Sequence, residues 1–288
     1  MPKNNAVLYP PDVIQAMSLG NGDYPLSPDS AGYAWRFLAE GDSWFTIGAI
    51  PSSNLLYELR LRQRAVVLNL GYPGDTIANI AQLSANTEFS RRLASPQWAS
   101  DWNAILLSGG GNDLIDQAGS LIREVPGGSA NPGDYLDAAA VTGFRERIKT
   151  AYRAIVALRD APGSPSKNTP IVVHTYDYPT PRPSPATFII VPITRPWMHP
   201  VFKKRNVPKA LRFQVAGLLL DALASALLEL AGELPAFHVV DTRRCLVPAK
   251  VNAKGNSGDW LNEIHPNGDG YRKIAAKLAE ALHALLGG

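Results

Sequence analysis

A hydroxyl, a side-chain amide and an imidazole stand far apart in this sequence, each within two residues of a glycine or proline. Ser43 closes Gly41-Asp42-Ser43 within "FLAEGDSWFTIG" (37–48). Gly71 and Gly74 lie in "NLGYPGDT" (69–76), Asn112 in "SGGGND" (108–113), and His265-Pro266 in "DWLNEIHPNGDGY" (259–271). Gly, Asp and Ser are ordinary turn residues, so no one of these stretches implies chemistry. Taken together they supply a nucleophile, backbone and amide donors for a developing oxyanion, and a general base. Acyl transfer needs those parts.

The elements that would bring them together alternate between strand-like and helix-like, the pattern of a parallel sheet covered by helices. Strands are predicted at "RFLAEG" (36–41), "AVVLNL" (65–70), "AILLS" (104–108), "PIVVHTY" (170–176) and "FHVVD" (237–241). The second, third and fourth are mostly apolar, as strands buried on both faces should be. Helices are predicted at "SSNLLYELRLRQ" (52–63), with Ser at the cap, at "DTIANIAQL" (75–83), at "FRERIKTAYRAIVALRD" (144–160) and at "GYRKIAAKLAEALHALL" (270–286). Residues 116–138 read as loop-rich, and 178–208 as a long insertion with eight prolines. In such a sheet ligands gather at the carboxyl ends of the strands. Ser43, the Gly71/Gly74 turn and Asn112 each follow a predicted strand, and His265 precedes the last helix, so all can meet at one edge.

The bulk numbers exclude other classes. A chain of 288 residues, 45% apolar, can bury a full core, as one large α/β domain or two small ones. A net charge of +3 makes no electrostatic case for nucleic acid. The single cysteine, Cys245, allows no internal disulfide. The segment 210–232 is apolar but carries Arg212, Asp221 and Glu229, and reads as a largely buried helix rather than a membrane span. No sustained apolar run follows Met1, so no signal peptide is expected; a cytoplasmic location is expected, with non-classical export left open. The histidines show no metal-ligand spacing, and "SGGGND" is not followed by Gly-Lys-Ser/Thr, so neither a metal nor a nucleotide is implied.

The four segments, in this order, resemble the blocks of the SGNH or GDSL hydrolases: Gly41-Asp42-Ser43, Gly74 after the second strand, Gly110-Gly111-Asn112-Asp113 after the third, and His265-Pro266 before the last helix. The resemblance spans roughly residues 36–286. It implies an α/β fold, a three-layer α/β/α sandwich around a flavodoxin-like, five-stranded parallel sheet, here as one domain over 1–288. It implies a serine hydrolase of carboxylic esters without a cofactor, acting on a small-molecule or lipid-like ester, with no nucleic acid and no stable membrane insertion. Ser43 would be the nucleophile and His265 the base; the Ser43 N–H, the Gly74 N–H and the Asn112 amide would form the oxyanion hole. The common hydrolase elbow Gly-x-Ser-x-Gly is absent, with Phe45 at its second glycine.

One position departs from the family's pattern. The family usually has Asp three residues before the histidine; here it is Asn262, with Glu263 next to it and Asp259 three residues earlier. Asn262 could orient His265 through its carbonyl oxygen. Asp259, Glu263 or a backbone carbonyl are the alternatives, as is a Ser43–His265 dyad. Thioesterase and lysophospholipase activity, or a catalytically weak binding protein on the same scaffold, stay open as functions.

Overall fold

The computed structural model describes residues 7–15, 27–46, 53–188, 191, 192 and 194–287. Its main sheet has six parallel strands: Asp12–Gln15 (β1), Trp35–Gly41 (β2), Ala65–Asn69 (β3), Ala104–Ser108 (β4), Ile171–His174 (β5) and, after a two-residue antiparallel pair formed by Thr187–Phe188 (β6) and Val191–Pro192 (β7), Phe237–Val240 (β8). The order is β1-β3-β2-β4-β5-β8. The five expected strands are present in the flavodoxin-like order, and the sheet is one strand wider than expected. The extra strand, β1, is only "DVIQ" and sits at the edge beside β3, with Asp12 opposite Val66. Its two adjacent apolar residues after Pro10-Pro11 carry too little alternation to be read as a strand.

The helices are Ser43–Thr46 (α1), Leu55–Glu58 (α2), Ile77–Ile80 (α3), Thr87–Ala94 (α4), Gly111–Leu121 (α5), Ala138–Arg159 (α6), His199–Lys204 (α7), Arg212–Glu233 (α8) and Gly268–Leu286 (α9). α2 packs with α9, while α6 packs with α3, α4, α5 and α8, which gives the outer layers of the sandwich. Short polar side chains set several helix starts. Asn54, Thr76, Asn86, Asp137 and Asn267 each accept a hydrogen bond from an N–H in the first turn. Ser52, expected to cap the helix over 52–63, lies outside the described residues; Asn54 holds the cap, and α2 is a single turn. Asp137 starts α6 earlier than expected, and α5 fills the first part of the stretch read as loop. The 22-residue α8 is apolar enough to cross a membrane by length and composition, but it is a core helix here: Val215, Leu219, Leu223, Leu227 and Leu230 are buried.

The order places a switch point at β2. From β2 the chain crosses to β3 on one side and later to β4 on the other, so the loops leaving β2 and β4 diverge and open a crevice at their carboxyl ends. Gly41, at the end of β2, pairs with Ser108, at the end of β4. A Cβ on Gly41 would lie 2.6 Å from the Ser108 carbonyl oxygen, so only glycine allows this approach.

Candidate active site

Ser43 is held in place by the residue before it. Asp42 is buried, and its N–H donates to the Ser108 carbonyl at 3.0 Å. Its carboxylate accepts from the Trp44 N–H at 3.0 Å, from Ser108 Oγ at 2.8 Å and from Tyr176 OH at 2.5 Å. Burial pushes the Asp42 carboxyl up, to about 6, against the pull of those bonds. His174 continues the network. The Tyr176 N–H donates to His174 Nδ1 at 3.2 Å, so the ring proton sits on Nε2, which donates to Ser108 Oγ at 2.9 Å. Ser108 then has its own proton for Asp42. Burial drives His174 down to about 3, which keeps it neutral in this chain of bonds. Tyr176 takes a left-handed backbone, φ 62°, in the turn just after β5. A bulky residue in that region is strained, and such strain gathers at functional sites.

His265 meets the serine from the loop before α9. Its Nε2 lies 2.8 Å from Ser43 Oγ. Its Nδ1 lies 3.0 Å from Asn262 Oδ1. That oxygen also accepts from the Ile264 N–H at 3.1 Å and the His265 N–H at 2.9 Å. Two backbone donors fix which end of the Asn262 amide faces inward, because an –NH₂ could not accept them. The His265 proton therefore sits on Nδ1, and Nε2 presents its lone pair to Ser43. Burial drives the His265 pKa down, to about 4. The Trp197 ring stands edge-on to the imidazole, with centroids 5.4 Å apart.

The other two candidates near Asn262 are engaged elsewhere. Asp259 accepts from the Val247 N–H and pairs with Lys273 on α9. Glu263 is fully buried and ties down the insertion. One carboxylate oxygen accepts from the N–H groups of Arg182 and His199, the other from those of Trp197 and Met198. Arg182, also fully buried, donates to the carbonyls of Ala253 and Asn262. Nothing in the sequence marked this clamp or Tyr176; Trp197 stood out only as one of the aromatics of the 178–208 insertion. Tyr176 was read as the last residue of the strand over 170–176, whereas that strand ends at His174 and leaves Tyr176 in the loop beyond it.

Asn112, in the first turn of α5, donates from Nδ2 to the Asp75 carbonyl at 2.8 Å. It lines a cavity of about 40 Å³ together with Ser43. Gly74 is exposed with φ 87°, and is linked to this side through its neighbour Asp75 rather than through the cavity wall. Asp113 caps the neighbouring α3, accepting from Ile77 N–H at 2.8 Å and Ala78 N–H at 3.3 Å. Asp42 and Asp113 thus tie turns together.

Residues 30–273 match the GDSL-like Lipase/Acylhydrolase family. Among solved structures, the lipase Lip_vut3 from a goat rumen metagenome is similar with a TM-score of 0.51 at 14% identity, over 86% of this chain and 97% of that one. A possible lipase from Chitinophaga pinensis DSM 2588 is similar with a TM-score of 0.50 at 17% identity, over 87% of this chain and 98% of that one. At these identities the similarity speaks for the fold. No curated protein matches the chain in sequence.

Proposed function

The chain belongs to the GDSL-like lipase/acylhydrolase family and is a hydrolase, and on that premise we propose that it cleaves carboxylic esters through an acyl-enzyme on Ser43. His265 Nε2 takes the Ser43 proton as Oγ attacks the ester carbonyl carbon. The carbonyl oxygen becomes an oxyanion held by the Ser43 N–H, the Asn112 amide and the Gly74 N–H. As the first residue of α1, Ser43 has an N–H with no acceptor inside the helix. Asn112 spends one amide hydrogen on Asp75 and keeps the other for the substrate. The imidazolium then protonates the departing alkoxide, the C–O bond breaks, and an alcohol leaves. Water repeats the steps on the acyl-enzyme and releases the carboxylic acid.

The observation that carries this reading is the 2.8 Å contact from Ser43 Oγ to His265 Nε2, with the ring tautomer set by Asn262. Asparagine in place of the acid of a serine triad costs a factor of about 10⁴ in kcat where it selects the wrong tautomer. Here the Ile264 and His265 N–H groups turn Oδ1 toward the ring, so that penalty does not arise. Only the stabilising charge is missing. The test is labelling by a fluorophosphonate and turnover of p-nitrophenyl butyrate. The unsubstituted protein should do both. Ser43→Ala should lose the label and lower kcat by a factor of about 10³ or more at unchanged circular dichroism. Near-normal turnover in that variant would overturn the assignment, and so would an intact protein that neither labels nor turns over.

A further inference from the structure

The cavity beside Ser43 is small, apolar and without a cation. Resting on the ester-hydrolase reading above, we propose that it is an acyl pocket selecting a short, uncharged acyl group of about two to four carbons.

Its position assigns it to the acyl side. The leaving alcohol takes its proton from His265 and so departs beside Nε2. Among the described residues, the cavity is lined by Ser43 and Asn112, which would hold the carbonyl carbon and oxygen, and His265 is not part of the lining. Its size sets the chain length. The cavity measures about 40 Å³. One water needs roughly 10–15 Å³ on this measure, so the cavity takes about three to four heavy atoms in all. The walls come from separate elements already packed in the core: Leu114 and Ile115 of α5, Leu220 of α8, Pro179 and Met198 of the insertion, and Ile264 of the histidine loop. Leu114, Met198 and Leu220 are buried, and close-packed walls do not yield space for further methylenes without displacing their neighbours.

Charge sets the second limit. No Lys, Arg or His lines the cavity among the described residues. Two carboxylates do, and both are already filled. Asp42 is bonded to Trp44, Ser108 and Tyr176; Asp177 accepts from the N–H groups of Tyr178, Arg244 and Leu246 at 2.6, 2.8 and 2.7 Å. An anionic acyl group would be buried beside two carboxylates with no partner, which is costly. A neutral alkyl chain carries no charge to set against them and can lie along the Leu114, Ile115, Leu220 and Ile264 side chains.

The experiment compares p-nitrophenyl acetate, butyrate, hexanoate, octanoate and hemisuccinate as substrates of the full chain, with fluorophosphonate labelling run in parallel. We expect kcat/KM to fall at least about tenfold from butyrate to octanoate, and at least about tenfold from butyrate to hemisuccinate, which has the same acyl length. Leu220→Ala, which removes one wall, should raise the octanoate-to-butyrate ratio about fivefold or more. Octanoate or hemisuccinate cleaved as well as butyrate would overturn the proposal. So would an unchanged ratio in a folded Leu220→Ala variant. Should that variant not fold, the two comparisons on the unsubstituted protein decide. A protein that labels and cleaves esters without these preferences defeats the pocket alone. One that neither labels nor cleaves defeats the hydrolase reading and the pocket with it.

Discussion

Asn262 and His265 differ from an acid–histidine pair in one quantity, the charge behind the ring. Asn262 accepts the Nδ1 proton and sets the tautomer but does nothing to hold an imidazolium. Burial alone then decides the affinity of Nε2 for a proton, and it drives the His265 pKa to about 4. A base of this kind is free at mildly acidic pH and weak at neutral pH. The acid limb of kcat/KM reports the base of the free enzyme, so it should fall well below 6.5, the ordinary histidine value. Asn262→Asp restores the charge while keeping an oxygen for the Ile264 and His265 N–H groups. It should move the acid limb up by at least about one pH unit, since an opposite charge at hydrogen-bond distance favours the imidazolium. Asn262→Ala should lower kcat without that upward shift. A pH–rate profile of the three proteins checks this, and an acid limb that Asn262→Asp leaves in place would separate Asn262 from the base. The position was legible from its distance to His265-Pro266. Its role was not, because the turn of the amide depends on two backbone N–H groups that only the folded loop supplies.

At the scale of elements, the insertion between β5 and α8 is a wall of the site rather than an appendage. It brings Trp197 against the His265 ring and Met198 into the cavity, and Glu263 holds it there. Glu263 uses both oxygens on four N–H groups, so glutamine is not a conservative replacement: its –NH₂ would face donors where an acceptor is needed. Each bond to a charged acceptor contributes about 1.5–3 kcal/mol. Glu263→Gln should therefore free the amides of residues 197–199 to exchange with deuterium and lower kcat/KM by about tenfold or more. Unchanged exchange at those amides would show that the carboxylate is not what holds them. This clamp joins residues 81 apart, Arg182 to Glu263, and no local pattern announces such a contact. What was legible has a local cause. β3, β4 and β5 are runs of apolar residues buried on both faces, and α9 follows a cap residue after proline. What escaped was short or shaped from outside: β1 with its four residues, and the single turns α2 and α3, which were predicted longer.

Over the whole molecule, the two ends of the sheet carry different duties. Ser43, Asn112 and His265 gather where the β-strands end. At the opposite end, Arg159, at the last turn of α6 and wholly buried, joins the entries of two strands. It donates to the carbonyls of Thr169 and Ala236 at 3.1 Å and of Pro235 at 2.9 Å, just before β5 and β8 begin, and pairs with Asp160. A methionine there would keep most of the packing volume and leave the Thr169 and Pro235 carbonyls without their donor, while Ala236 keeps the Ile171 N–H. Leaving a buried carbonyl without its donor costs about 1–3 kcal/mol. None of these groups touches the crevice, and the strands between are rigid, closely packed elements. Arg159→Met should therefore lower the urea midpoint by an amount matching that loss, while kcat per fluorophosphonate-titrated serine stays within about twofold of the unsubstituted protein. Titrating the active serine removes the unfolded fraction from the comparison. If activity per titrated site falls along with stability, the strand entries are coupled to the crevice through the sheet, and the division of duties between its two ends does not hold.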